Sequence, residues 1–216
     1  MGLAQDLLNL AGHLATHEGD NPSQASLRRA VSTAYYSLFH LLIEEAALLW
    51  QGSPESRTGL ERGFQHGSMH NISRQFVKLS WRDWHGNHQD IPPALRQVAS
   101  AFVDLQEERH TADYDNHEQW SATDVKATLN ITRSAFQNWQ SIRTDPMAGN
   151  YLLAMLLSKQ RSWIPGRILG YLLRPQRSQQ RRPRHRPHGH QRGQQSGHQH
   201  TQQQQSHRHH GKPPPA

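Results

Sequence analysis

Between Glu107 and Asp115 the chain reads EERHTADYD, which puts Arg109, His110, Asp113 and Tyr114 within a few positions of one another. A guanidinium stays charged at any physiological pH and offers a planar fork of donors suited to phosphate oxygens. An imidazole titrates near neutrality and can move a proton on or off a ribose or leaving-group oxygen. A phenol with a pKa of about 10 is a poor base at pH 7, but it hydrogen-bonds phosphates and bases. Asp113 stands four residues after Arg109, the helical distance at which a carboxylate either orients a guanidinium or simply pairs with it to hold a helix end. A second basic pair, Arg28-Arg29, opens the segment LRRAVSTAYYSLFHLL. It is open to two readings: part of a nucleic-acid groove, or a solvated helix face beside Glu18 and Asp20. The chemistry these residue types share is contact with phosphate.

The other titratable groups carry weaker signals. His40 follows Tyr35, Tyr36 and Phe39 on one segment, where aromatics are expected in the core and at an interface and the histidine as a hydrogen-bonded core residue. His66 and His70 have i,i+4 spacing, but no Glu stands between them in an H-E-x-x-H sense and Gly67 weakens that turn, so no metal centre is expected. The chain has no Cys, which removes disulfides, thiolate metal sites and cysteine nucleophiles. No cofactor is expected.

Amphipathic helices must position these groups. Leu3, Leu7, Leu10 and Leu14 recur at helical spacing and predict a helix over 3–16. After GDNPS, with Asp20 or Asn21 as cap and Pro22 in the first turn, Leu27, Val31, Ala34, Tyr35, Leu38, Leu42, Ala46 and Leu49 trace one face up to Gly52-Ser53-Pro54. Met69, Ile72, Phe76 and Leu79 suggest a shorter helix over 68–80. WRDWHGNHQD reads as a polar loop, and Pro92-Pro93 opens a helix with Leu95, Val98, Phe102 and Leu105 in its stripe. Ser121 and Asp124 form a capping box ahead of Val125, Leu129, Thr132, Phe136 and Trp139. No segment shows strand alternation. The expected fold is all-α, an antiparallel bundle of four to five helices over 1–145. A short amphipathic helical extension is expected over 146–174 and a disordered tail over 175–216.

That tail holds eight of the 24 Lys and Arg residues and no acid, so 16 basic residues face 17 acidic ones in the rest of the chain. The formal charge of +7 therefore belongs to the tail, and the body is about neutral. His, Gln, Arg and Pro offer almost no apolar surface to offset the entropy of ordering. The tail can be a loose metal- or RNA-binding arm or an extension without a selected role. The N-terminal segment lacks the basic start and continuous apolar run of a signal peptide. No apolar run is long enough to span a bilayer. The expectation is a cytoplasmic protein without a membrane segment.

The segment RRAVSTAYYSLFHLL, followed by HGSMHNISRQFV and ERHTADYD, resembles the bacterial and archaeal HEPN domains over roughly residues 3–143. It is most similar to the branch with an R-R-A-x-S-x-A-Y-Y-x-x-F-H segment and a later R-x-x-A-D-Y-like segment. The resemblance implies a helical bundle that forms homodimers and engages RNA or a nucleotide. It also implies metal-independent ribonuclease activity in active members, as toxin or accessory to a nucleotidyltransferase antitoxin. Carried onto this chain, it gives Arg109 the stabilisation of phosphate charge, Tyr114 the positioning of substrate, and His110 or His117 the proton. The family's Arg and His are separated by four to six intervening residues, whereas His110 is adjacent to Arg109 and His117 lies beyond that spacing. Position 114 carries a Tyr, in an R-x-x-x-x-Y arrangement. The rival expectation is a non-catalytic helical module that binds a partner protein.

Overall fold

The computed structural model describes residues 2–50 and 52–158. The expected disordered tail, and the later part of the expected 146–174 extension, lie outside the described residues. Within them the protein is a helical bundle whose four main helices are α1 (Leu3–Leu14), α2 (Gln24–Leu49), α5 (Pro93–Tyr114) and α6 (Ala122–Ile142). Shorter helices α3 (Pro54–Glu61), α4 (His66–Phe76) and α7 (Pro146–Leu157) and a small hairpin complete it.

Long-range contacts fix the helix directions. The Ala4 amide donates to Glu44 Oε1 at 3.0 Å, tying the start of α1 to the end of α2. Arg28 near the start of α2 bonds to Ala112 at the end of α5, while Tyr35 further along α2 meets Phe102 further back on α5, with ring centroids 5.6 Å apart. Thus α1 and α5 both run antiparallel to α2. Gln24 exchanges hydrogen bonds with the Trp120 backbone just before α6, and Arg143 Nε donates to Glu45 Oε2 at 2.7 Å just after it. So α6 runs parallel to α2, and the antiparallel arrangement of α1 with α2 and of α5 with α6 is as expected from their short connections.

Helix starts follow the local chemistry. Ser121 and Asp124 form the reciprocal capping box read from the sequence. The cap of α2 is Ser23, whose hydroxyl accepts from the Ser26 amide, and not Asp20 or Asn21. Pro22 therefore sits just before the cap, where its extended φ suits the chain entering the helix. Ser23 is further held by Glu18, whose carboxylate accepts from its amide and hydroxyl.

Two apolar clusters form the interior. The smaller lies where α1 ends and α2 begins, with Ala11, Leu27, Ala30, Val31, Ala34, Ala112, Val125 and Leu129. The larger takes the rest of α2, α5 and α6 and is closed by α4 and α7. Helix α7 is part of this core and no added layer: Tyr151 and Met155 are fully buried, and the Tyr151 hydroxyl meets Ser73 Oγ at 2.8 Å. The stretch expected to be a polar loop is instead a hairpin, β1 (Ser80–Arg82) against β2 (His88–Asp90), antiparallel with Trp81 opposite Gln89. Its turn is closed by Asp83, whose carboxylate accepts from the His85 and Asn87 amides, and by Gly86 at φ 88°, a conformation that favours glycine. Among the described residues no helix is long and apolar enough to cross a membrane.

Candidate functional site

Where the two clusters meet, α2 and α5 bring polar side chains together. Arg109 reaches across from α5 and donates from Nη2 to the Tyr36 hydroxyl at 3.1 Å. Its Cζ lies 5.6 Å from the Tyr36 ring centroid and 5.6 Å from that of Tyr114, so two aromatic rings flank one guanidinium within cation–π range. Nε stands 2.7 Å from Asp113 Oδ2, yet its N–H is not aimed along that line and makes no well-formed hydrogen bond. The pair is therefore a charge contact that keeps Nε buried, and the donor capacity left to the guanidinium is at Nη1, which is not buried and has no partner among the described residues. Asp113 is itself steadied by Ser32, whose hydroxyl donates to Oδ1 at 2.5 Å. Burial works against the charge on Arg109, but Tyr36, Asp113 and Tyr114 outweigh it, and its pKa is raised above the already high usual value. Arg109 is a permanent cation.

The two aromatic neighbours differ in exposure. Tyr36 is half-buried, whereas Tyr114 is 64% exposed at the last turn of α5. Tyr114 joins His110, Thr111, Asp115, Asn116 and His117 around an open depression of about 410 Å³. The His110 ring lies 5.0 Å from that of Tyr114. Of the site residues expected from EERHTADYD, His110 and Tyr114 line this depression, while Arg109, against the Tyr114 ring, and its partner Asp113 lie outside its lining with only part of each side chain exposed.

The basic pair at the start of α2 is placed otherwise. Arg28 spends its guanidinium on backbone carbonyls, those of Ala112 (2.9 Å), Asp115 (2.8 Å) and Glu118 (2.5 Å). It thereby satisfies carbonyls that the end of α5 leaves without intrahelical partners. It fastens the loop carrying the depression instead of lining a groove. Arg29 is exposed on the outer face of α2 and is not drawn into the cluster.

One residue of the site was not read from the sequence as such. His66, the first residue of α4, stacks on Phe39 with centroids 4.2 Å apart and stands 5.8 Å from the Tyr36 ring. Its Nδ1 is 2.6 Å from the Tyr35 hydroxyl. Arg109 and His66 therefore share Tyr36 as a neighbour, although they come from different helices. Burial, then the charges of Arg109 and His40, hold the His66 pKa below the usual imidazole value, and its place at a helix N-terminus acts in the same direction. Burial also lowers His40, with Glu44 opposing, while burial raises the Tyr35 hydroxyl out of reach of titration. His70, one turn on, faces Glu107 at 3.7 Å instead of converging with His66.

A pH dependence of stability follows. A histidine whose folded-state pKa is depressed takes up its proton first in the unfolded chain, so it favours unfolding as the pH drops. The contribution is neutral above the unfolded value of about 6.5 and stability is lost as pH falls from there through the lower folded value. Thermal unfolding followed by circular dichroism is expected to show the midpoint dropping below that pH, and His66→Gln should make the drop shallower.

Comparison of the chain with protein-family models, with curated proteins and with solved structures returns no match.

Proposed function

We propose that the cluster around Arg109 is a phosphate-engaging site for RNA or a nucleotide. The observation that supports this most is the guanidinium held between Tyr36 and Tyr114, with an Nη1 that is not buried and has no hydrogen-bond partner among the described residues. Such a cation is fixed in orientation before any ligand arrives, so little ordering cost remains when a phosphate docks. Exposed Tyr114 beside it suits a base or ribose. The resemblance to HEPN domains adds a homodimer, a cytoplasmic setting, a nucleotidyltransferase as antitoxin partner and cleavage of RNA without a metal. These parts of the reading rest on that resemblance.

The test compares the full chain with its Arg109→Ala variant for binding of a short single-stranded RNA, by fluorescence anisotropy over a range of salt. The basic tail binds polyanions in both proteins, so the difference between them reports the site. Loss of one phosphate contact should weaken affinity for every sequence and reduce the salt slope by about 1. Equal affinities and slopes would overturn the reading.

A specific observation also favours a second reading. Arg109 bridges α2 and α5 through Tyr36, as a brace in a non-catalytic interaction module would. In that case Arg109→Ala lowers the melting temperature and leaves RNA binding as it was.

A further inference from the structure

We infer that His66, on a different helix from the Arg109 motif, is the residue that moves the proton in RNA cleavage at this site. The inference rests on the phosphate-engaging reading of Arg109 and deepens it. The residues that lie beside Arg109 in sequence are less suited to the task. His110 is exposed and its only aromatic neighbour among the described residues is Tyr114, while His117 sits in the loop after α5 with its amide bonded to Asp115. Neither ring is fixed by a hydrogen bond among the described residues. His66 is fixed on two sides, by the Phe39 ring at 4.2 Å and by the Tyr35 hydroxyl at 2.6 Å from Nδ1. In the tautomer whose Nδ1–H donates to the Tyr35 oxygen, Nε2 carries the free lone pair; it has no partner among the described residues and is not a buried atom. An imidazole with one nitrogen oriented by a hydrogen bond and the other free has the form of a general base held by an orienting group.

The groups facing His66 suit a base that starts neutral. Helix α2 contributes Tyr35, Tyr36 and His40. Helix α5 contributes the Arg109 cation, and α4 itself carries His70, which faces Glu107 of α5 and not His66. No carboxylate among these groups stabilises an imidazolium at rest, so the ring is free to accept a proton at neutral pH. Tyr35 is held as a neutral phenol by burial, and so can orient the ring without adding charge.

The step balances without a metal or a co-reactant. His66 Nε2 takes the proton of a ribose 2′-hydroxyl, and the 2′-oxygen attacks the adjacent phosphorus. The bond from phosphorus to the 5′-oxygen breaks, with Arg109 neutralising charge on the phosphoryl oxygens. The imidazolium returns its proton through water to the departing 5′-oxygen, which leaves a 2′,3′-cyclic phosphate on one product and a 5′-hydroxyl on the other.

The experiment uses the full chain and an end-labelled single-stranded RNA, with chelator present, and reads both cleavage and binding. His66→Ala is expected to retain RNA binding and to lose about 10²–10⁴ in cleavage rate, and free imidazole should restore part of that rate. His66→Gln, which keeps a hydrogen-bonding group beside Tyr35, guards against a folding defect in the Ala variant and should also be inactive, with an unchanged melting profile at pH 8. Cleavage by either variant at the wild-type rate would overturn the assignment. So would a wild-type protein that binds RNA through Arg109 and does not cleave it, a result that leaves the phosphate-engaging reading standing. Absence of Arg109-dependent binding would instead remove that reading and this one together.

Discussion

Tyr151→Ala is expected to lower the unfolding free energy by about 3–5 kcal/mol, the usual range for truncating a fully buried aromatic to Ala. The side chain is completely buried in the larger core. Its ring lies 4.9 Å from that of Phe76 on α4, so removing it opens a cavity between α4 and α7. The hydroxyl adds a smaller amount. Ser73 donates to the Met69 carbonyl at 2.8 Å, which makes Tyr151 the donor in the contact with Ser73, and Tyr151→Phe should cost only about 1 kcal/mol. Urea unfolding of the two variants separates the terms. Against a total stability of about 5–15 kcal/mol for an ordinary domain, the Ala variant would lose a large share. An Ala variant that unfolds at the wild-type midpoint would mean that α7 contributes nothing to the core. Because α4 presents His66, a loosened α7 should also weaken the site.

The second large effect concerns Arg109. If the site cleaves RNA, Arg109→Ala should reduce the rate by about 10²–10³, the loss typical of removing one donor aimed at developing negative charge. Arg109→Lys should recover little of it. An ammonium keeps the charge but has neither the plane that lies between Tyr36 and Tyr114 nor the fork that grips two phosphate oxygens. The stability cost should be small by comparison, since the Arg109–Asp113 pair is partly open to solvent, with side chains 20% and 24% exposed, and such pairs are screened. A rate defect with a near-native melting temperature separates catalysis from bracing. Cleavage at full rate by Arg109→Lys would show that charge alone suffices and that the aromatic flanks do not orient the group.

The bundle was legible because its main helices are long and their apolar positions repeat. The capping box at Ser121 was legible too, since its two members lie within one turn. Elements without an apolar stripe of their own gave no such signal. Helix α3 buries none of its residues, so Pro54–Glu61 has no periodicity to detect. The strands of the hairpin are three residues each, too short for alternation to stand out. Helix α7 was expected as an appended amphipathic helix, although YLLAMLL is apolar around most of its circumference, and a helix of that kind belongs inside.

Within the site, Arg109, Asp113 and Tyr114 could be found because they share one helix end, where spacing decides proximity. Tyr36 and His66 join Arg109 only through the packing of α2 and α4 against α5, and the Tyr36–Arg109 contact spans 73 residues of sequence. His66 and His70 are one turn apart, the spacing at which two histidines can face one metal ion. The structure turns them to different partners, Tyr35 and Glu107. Arg28 shows the converse: a basic residue at the head of a helix invites a ligand on paper, and three carbonyl groups take it instead.

The most direct test of the Arg109 site is nuclear magnetic resonance of the arginine Nε–Hε groups in the full chain. The Arg109 signal is assigned by its disappearance in Arg109→Lys and followed as a short single-stranded RNA is added. A phosphate docking between Tyr36 and Tyr114 predicts that this signal moves and saturates. An Arg109 signal that stays still while tail arginine signals shift would contradict the account, because RNA would then be held by the tail alone.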